Sequence, residues 1–176
     1  MKNKPKILPN YTYDEYIHWK DRWEIIEGIP YAMSPMPGPK HQRISSLLSV
    51  EFELALRKNK CECQVYQPLD LKIKENTVVQ PDLLIVCDPI EKNYLDFPPK
   101  LVVEIHSPST ILKDKNSKFS LYEEYGIKYY LMVDPEEETV VVYSLNDAGK
   151  YKETTELTFE ISDGCTISLD ASKLFI

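Results

Sequence analysis

Two stretches decide the fold: Val78-Val79-Gln80-Pro81-Asp82-Leu83-Leu84-Ile85-Val86 and Leu101-Val102-Val103-Glu104-Ile105. Both are nearly continuous apolar runs, the pattern of strands whose two faces are covered by other layers. Each nevertheless carries one carboxylate, Asp82 or Glu104. An ionised carboxylate among Val, Leu and Ile loses hydration at a cost of several kcal/mol unless a cation compensates it. Pro81 offers no N–H to a strand ladder, which predicts a bend or an edge where Asp82 projects.

Outward from these runs, the chain alternates short strand signals with helices. Thr12 and Glu15 have capping-box spacing, which predicts a short helix from Tyr13 to about Lys20. Trp23 to Met33 is rich in β-branched and aromatic residues and is broken at Gly28 and Pro30, a hairpin pattern. From Lys40 to about Lys58, Ile44, Leu47, Leu48, Phe52, Ala55 and Leu56 recur at three and four residues, which makes this the main amphipathic helix. Gln64 to Tyr66 and Leu69 to Lys74 read as strands, the latter with one wet face. Asp114 to Tyr125 reads as a helix stopped by Gly126. Lys128 to Val133 and Thr139 to Tyr143 read as strands joined at Asp134-Pro135, and Tyr151 to Phe175 as a closing hairpin around Asp163-Gly164. No repeat or linker interrupts residues 1–176, so the expectation is a single α+β domain, a mixed β-sheet flanked by helices.

Composition narrows the class. The 176 residues are 43% hydrophobic and 28% charged, which excludes a disordered or fibrous chain. Lys+Arg number 21 against 28 Asp+Glu, a net charge of -7, and this argues against coating nucleic acid through bulk positive charge. Apolar stretches such as Leu83 to Cys87 fall far short of the roughly 20 residues that span a bilayer, so no membrane span is expected. The basic start Met1 to Lys6 is followed by Asn10, Asp14 and Glu15 instead of the apolar core of a secretory signal. Cys61, Cys63, Cys87 and Cys165 lack Cys-x-x-Cys pairs and are expected to be reduced thiols of a cytoplasmic protein.

Asp82 and Glu104, on neighbouring strands, are the right residue types to hold one hard divalent cation such as Mg²⁺, with waters completing its octahedron. Taken singly, either residue more often belongs to a structural network. Asp114 and Lys118 at i,i+4 spacing equally describe a surface ion pair worth about 0.3–0.5 kcal/mol. A lone His41 near a helix start is more often a cap or a packing residue. Cys61-x-Cys63 needs further soft-metal ligands that the nearby sequence does not offer. Ser107-Pro108-Ser109-Thr110 lacks the glycines of a nucleophile elbow or phosphate loop and is expected to shape the turn into the next helix.

Glu24-Ile25-Ile26-Glu27-Gly28, His41, Pro81-Asp82, Leu101-Val102-Val103-Glu104-Ile105, Ser107 to Thr110, Asp114, Lys118, Tyr122, Gly126 and Val133-Asp134-Pro135 together resemble, in order and spacing, the Uma-two family of restriction-endonuclease-like proteins. The resemblance spans nearly the whole chain. It implies the restriction-endonuclease-like core of the PD-(D/E)XK superfamily and Mg²⁺-dependent hydrolysis of DNA phosphodiesters, with Mn²⁺ as a substitute. Pro81-Asp82 stands in the place of the PD, and Glu104 in the place of the D/E. His106 occupies the place of the motif lysine, and the resemblance implies that Lys118 on the following helix replaces it. Glu24 matches an acid that adds a metal contact, Glu27 stands where the family commonly has Asp, and Ile29 departs from a position where many members carry another acid.

By strand alternation His106 shares a face with Glu104, so it is either a general base or transition-state donor, or a hydrogen-bonded histidine at a strand end. The expected catalytic set is Asp82, Glu104, Lys118 and His106, with Asp82, Glu104 and Glu24 on the metal. DNA is the expected substrate and a homodimer the expected assembly, since two sites cut two strands. A non-catalytic binding or assembly domain that keeps the fold is the alternative, and a hydrolase of small phosphate esters a third.

Overall fold

The apolar run from Val78 to Val86 does not form one strand. In the computed structural model, which describes residues 8–33, 36–106 and 117–176, it divides into β5 (Thr77–Val79) and β6 (Leu83–Val86). These belong to different sheets. The physical reason lies in the three residues between them. Pro81 has no N–H to donate, and the Gln80 N–H is spent on the Glu24 carboxylate at 2.9 Å instead of on a ladder.

β5 joins a four-stranded antiparallel sheet with β1 (Trp23–Ile26), β2 (Ile29–Ala32) and β4 (Leu71–Lys74), in the order β2-β1-β5-β4. β6 joins a six-stranded sheet. There it lies between β3 (Gln64–Tyr66) and β7 (Leu101–Ile105), followed by β8 (Tyr129–Asp134), β9 (Thr139–Leu145) and β10 (Tyr151–Thr154). Of these pairings only β7 with β8 is parallel. A parallel pair requires a crossover, and the segment between them contains α3 (Phe119–Tyr125).

Alternation along β6 and β7 feeds two cores. Leu83, Ile85, Leu101, Val103 and Ile105 meet α2 (Pro39–Lys58) through its buried stripe Ile44, Leu48, Phe52 and Leu56. Leu84, Val86 and Val102 pack on the other face with Leu121, Tyr122, Tyr130 and Met132. Tyr129 to Met132 are thus consumed by the core. The hairpin of β11 (Thr158–Ser162) and β12 (Cys165–Ser168) turns at Asp163-Gly164 as expected and adds Phe159, Ile161 and Ile167 on the α2 side. β10 leaves that closing unit and extends the large sheet.

Three expectations need correction or bounding. The first helix, α1, covers only Tyr13–Tyr16, because beyond it the chain tightens into i→i−3 bonds, His18 N–H to Glu15 O and Trp19 N–H to Tyr16 O, and then reverses at Asp21 with φ 67. The helix expected over Asp114 to Tyr125 is seen as α3, ended by Gly126 at φ 83; Asp114 and Ser107 to Thr110 lie outside the described residues. The cysteines are not free thiols. Cys61 is bonded to Cys165 and Cys63 to Cys87. The ladder that pairs Gln64 with Val86 places Cys63 and Cys87 opposite each other one step further on. The inference from reduced thiols to the cytoplasm therefore loses its premise. Among the described residues no helix is long and apolar enough to cross a membrane.

Candidate active site

Lys118 is the centre of a buried polar cluster. Its side chain is 2% exposed, and its Nζ lies 2.8 Å from Glu24 Oε1 and 2.7 Å from Glu104 Oε1. Glu104 Oε1 also accepts the Tyr122 hydroxyl at 2.6 Å. Lys118 and Tyr122 are one helical turn apart, so both reach the same carboxylate from one face of the helix. Glu24 is delivered from the middle of β1, Glu104 from β7, and both are almost fully buried. The alternative of a surface ion pair fails at Lys118, which is enclosed between two carboxylates of two different sheets. Burial, then the charges of Glu104 and Glu24, push Tyr122 well above the ordinary tyrosine range, so its phenol stays protonated and donates.

Asp82 sits beside this cluster. The pairing Leu83 with Val103 places it opposite Glu104 one step beyond the end of the ladder. Its Oδ2 accepts the Ile105 N–H at 2.8 Å and lies 3.2 Å from His41 Nε2. His41 comes from the first turn of α2, whose start is set by Gly38 as cap and Pro39 at the first helical position. Its Nδ1 is buried with no hydrogen-bond partner among the described residues. In the sequence His41 matches the family pattern without an assigned role in the site; the packing of α2 against the end of β6 brings it to Asp82. His106 is buried at the end of β7, where its N–H donates to Val133 O at 2.7 Å and continues the ladder.

The residues marked from sequence thus fall into two groups. Glu24, Glu104 and Lys118 converge, with Tyr122 as an added member; Asp82 pairs with His41. Among the described residues no three metal-ligating side chains gather at one point. The donor chemistry still fits a hard divalent cation. Glu24 and Glu104 outnumber Lys118 by one negative charge, Asp82 adds another, and carboxylate oxygens are the donors that Mg²⁺ and Mn²⁺ prefer.

Residues 12–166 match the sequence profile of Uma2, described as "Putative restriction endonuclease". The chain belongs to the Uma2 family. A relative from Synechocystis sp., an uncharacterised protein, is 34% identical over 158 residues, covering 84% of this chain and 78% of that protein. Among solved structures, one described as a putative nuclease belonging to DUF820 from Anabaena variabilis superposes with a TM-score of 0.72 at 21% identity, covering 93% of this chain and 97% of the other. The α+β architecture built from the two apolar runs is therefore the fold of that solved structure, which the Uma2 chain shares over 93% of its length.

Proposed function

We propose that this Uma2 protein is a divalent-metal-dependent endonuclease that hydrolyses DNA phosphodiester bonds. The observation that carries the proposal is the enclosed Lys118, held between Glu24 and Glu104 at ion-pair distance. A buried ammonium between two carboxylates is the kind of strongly perturbed cluster that gathers at functional sites, and a fixed ammonium can stabilise charge that develops on a phosphate. Asp82 and Glu104 would hold Mg²⁺ or Mn²⁺, which supplies an acidified water and neutralises phosphate charge. The protein's own groups do the rest. Glu24 pairs with the Lys118 ammonium and aims it, Tyr122 fixes the rotamer of Glu104, and the Ile105 N–H and His41 orient Asp82. Lys118 then offsets the charge that develops on the non-bridging phosphate oxygens. His106, at the end of β7, is the candidate proton carrier. A homodimer would carry two such centres.

The test is cleavage of plasmid, linear and single-stranded DNA with Mg²⁺ or Mn²⁺, comparing the wild type with Asp82→Ala and Lys118→Met. Metal-dependent cleavage lost in both variants is the expected result, and equal activity in wild type and Asp82→Ala would sink the proposal. The net charge of -7 and His106 in the place of the motif lysine favour one second reading, a non-catalytic binding domain. Calorimetry showing no Mn²⁺ uptake by the wild type would select it.

A further inference from the structure

The chain contains two tryptophans, Trp19 and Trp23, and both stand on one surface beside the candidate site. Tyr11 meets Trp19 edge to face at 5.0 Å and 86°, and Trp19 meets Trp23 at 5.7 Å and 74°. With Lys20 and Pro30 these rings line a cavity of ≈ 360 Å³, a size typical of small-ligand sites. Trp19 also meets Tyr16 at 5.9 Å and 66°, and Trp19 and Trp23 are each only partly buried, so ring surface remains for a further partner. Tyr11 is 38% exposed. A second concavity of ≈ 590 Å³ shares Trp19 and brings Tyr16, Asp21, Asp70 and Asn93 to the same place. Gln80 ties this surface to the buried cluster. Its side-chain amide donates to Tyr16 OH at 3.0 Å and to Asp70 at 2.7 Å, while its backbone N–H donates to Glu24.

Charge decides what such a surface can take. The surface is mixed: Asp21 and Asp70 line the second concavity, with Asp70 Oδ1 already accepting from Tyr16 and Gln80, while Lys20 lines the first and Lys72 Nζ lies 4.9 Å and 5.7 Å from the centroids of Tyr13 and Tyr94, two rings of the second. An occupant must bring a planar apolar face for the rings and negative charge for the lysines. An unpaired nucleotide brings both, and stacking beside cationic side chains is how proteins hold single strands. We infer that the Tyr11, Trp19 and Trp23 surface is a subsite for unpaired nucleobases, so the substrate is a single strand or an unpaired end whose bases stack on the rings. This rests on the nuclease proposal for the neighbouring phosphodiester site and adds its substrate class.

Because both tryptophans lie on this surface, intrinsic fluorescence reports on it alone. Short oligo(dA), oligo(dC) and oligo(rA), and a duplex of equal length, are titrated in chelator so that nothing is cut. Quenching by the unpaired oligonucleotides and not by the duplex is expected. Their affinity should fall as salt rises, as it does for single strands stacked beside cationic side chains. Trp19→Ala, read through Trp23, should weaken binding by about five- to 150-fold, the range for one stacked base. Trp19→Phe should restore most of it. Tyr11→Ala, with circular dichroism as a folding control, gives an independent variant. Equal binding of duplex, or unchanged affinity in both alanine variants, overturns the inference. So does a dimer that Trp19→Ala dissociates while no oligonucleotide quenches. DNA and RNA arms identify which strand is preferred. The two proposals separate cleanly: quenching without cleavage of any substrate removes the nuclease and keeps the subsite, and duplex cleavage at wild-type rate by Trp19→Ala removes the subsite and keeps the nuclease.

Discussion

Replacing Lys118 with Met leaves Glu24 and Glu104 buried around an apolar chain. Breaking one side of a buried ion pair costs about 3–5 kcal/mol, so denaturant unfolding of Lys118→Met should show a loss of that order. Adding Glu24→Gln and Glu104→Gln should recover much of it, with cleavage still absent, which separates the structural charge balance from the chemistry. Tyr122 gives the pH dependence. Its ionisation is held above the ordinary value of 10.0, first by burial and then by Glu104. Above pH 10 the unfolded chain releases the phenolic proton and the folded chain keeps it, so stability is full below that pH and falls as pH rises past it. Tyr16 and Tyr151 are raised in the same direction, again chiefly by burial. Alkaline unfolding should therefore be steep, and Tyr122→Phe should flatten it. Glu104 was legible because one acid in a run of Val, Leu and Ile demands a partner. Its partner Lys118 came only through the family resemblance, since residues 14 positions apart on a strand and a following helix meet only in the fold.

At the scale of elements, the β1–β2 turn holds the N-terminal part of the site. Glu27 and Gly28 both have positive φ, 52 and 80, the conformation of a two-residue hairpin turn that matches strand twist. A Cβ at Gly28 would come within 2.4 Å of Asn10 Oδ1 and 2.6 Å of its Cα, because the preceding chain crosses the turn and bonds to it through Tyr11 N–H. Gly28→Ala should cost at least about 1 kcal/mol, seen as a lower melting temperature. Gly28 and Pro30 made this hairpin readable, as threefold and fourfold spacing made α2 readable. The division of Val78 to Val86 was hidden. Apolar periodicity cannot report that a proline and one diverted N–H send two halves of a run into different sheets.

For the whole molecule, the covalent links matter most. Cys61–Cys165 and Cys63–Cys87 close loops with sequence separations of 104 and 24, and by the chain-entropy account each contributes about 3–5 kcal/mol by restricting the unfolded chain. A reductant should lower the melting temperature markedly, and Cys61→Ala should reproduce part of the drop without one. Thiol titration of the denatured, unreduced protein should find no free sulfhydryl. The pairing was illegible because ladder register and the position of β12, not local spacing, choose the partners. The charge of -7 was legible at once, yet it bears on how a ligand is held and not on whether nucleic acid is a ligand.

The smaller of these loops lies entirely inside the larger. A protease that cuts once anywhere between Cys61 and Cys165 would therefore yield a nicked molecule still covalently in one piece, running as full length on a gel until it is reduced. Asp82, Glu104 and Lys118 lie within that ring and would stay attached to the same scaffold after such a cut. Glu24 and His41 lie outside it, so a cut on the N-terminal side of Cys61 is the one that would free half of the site's supporting residues.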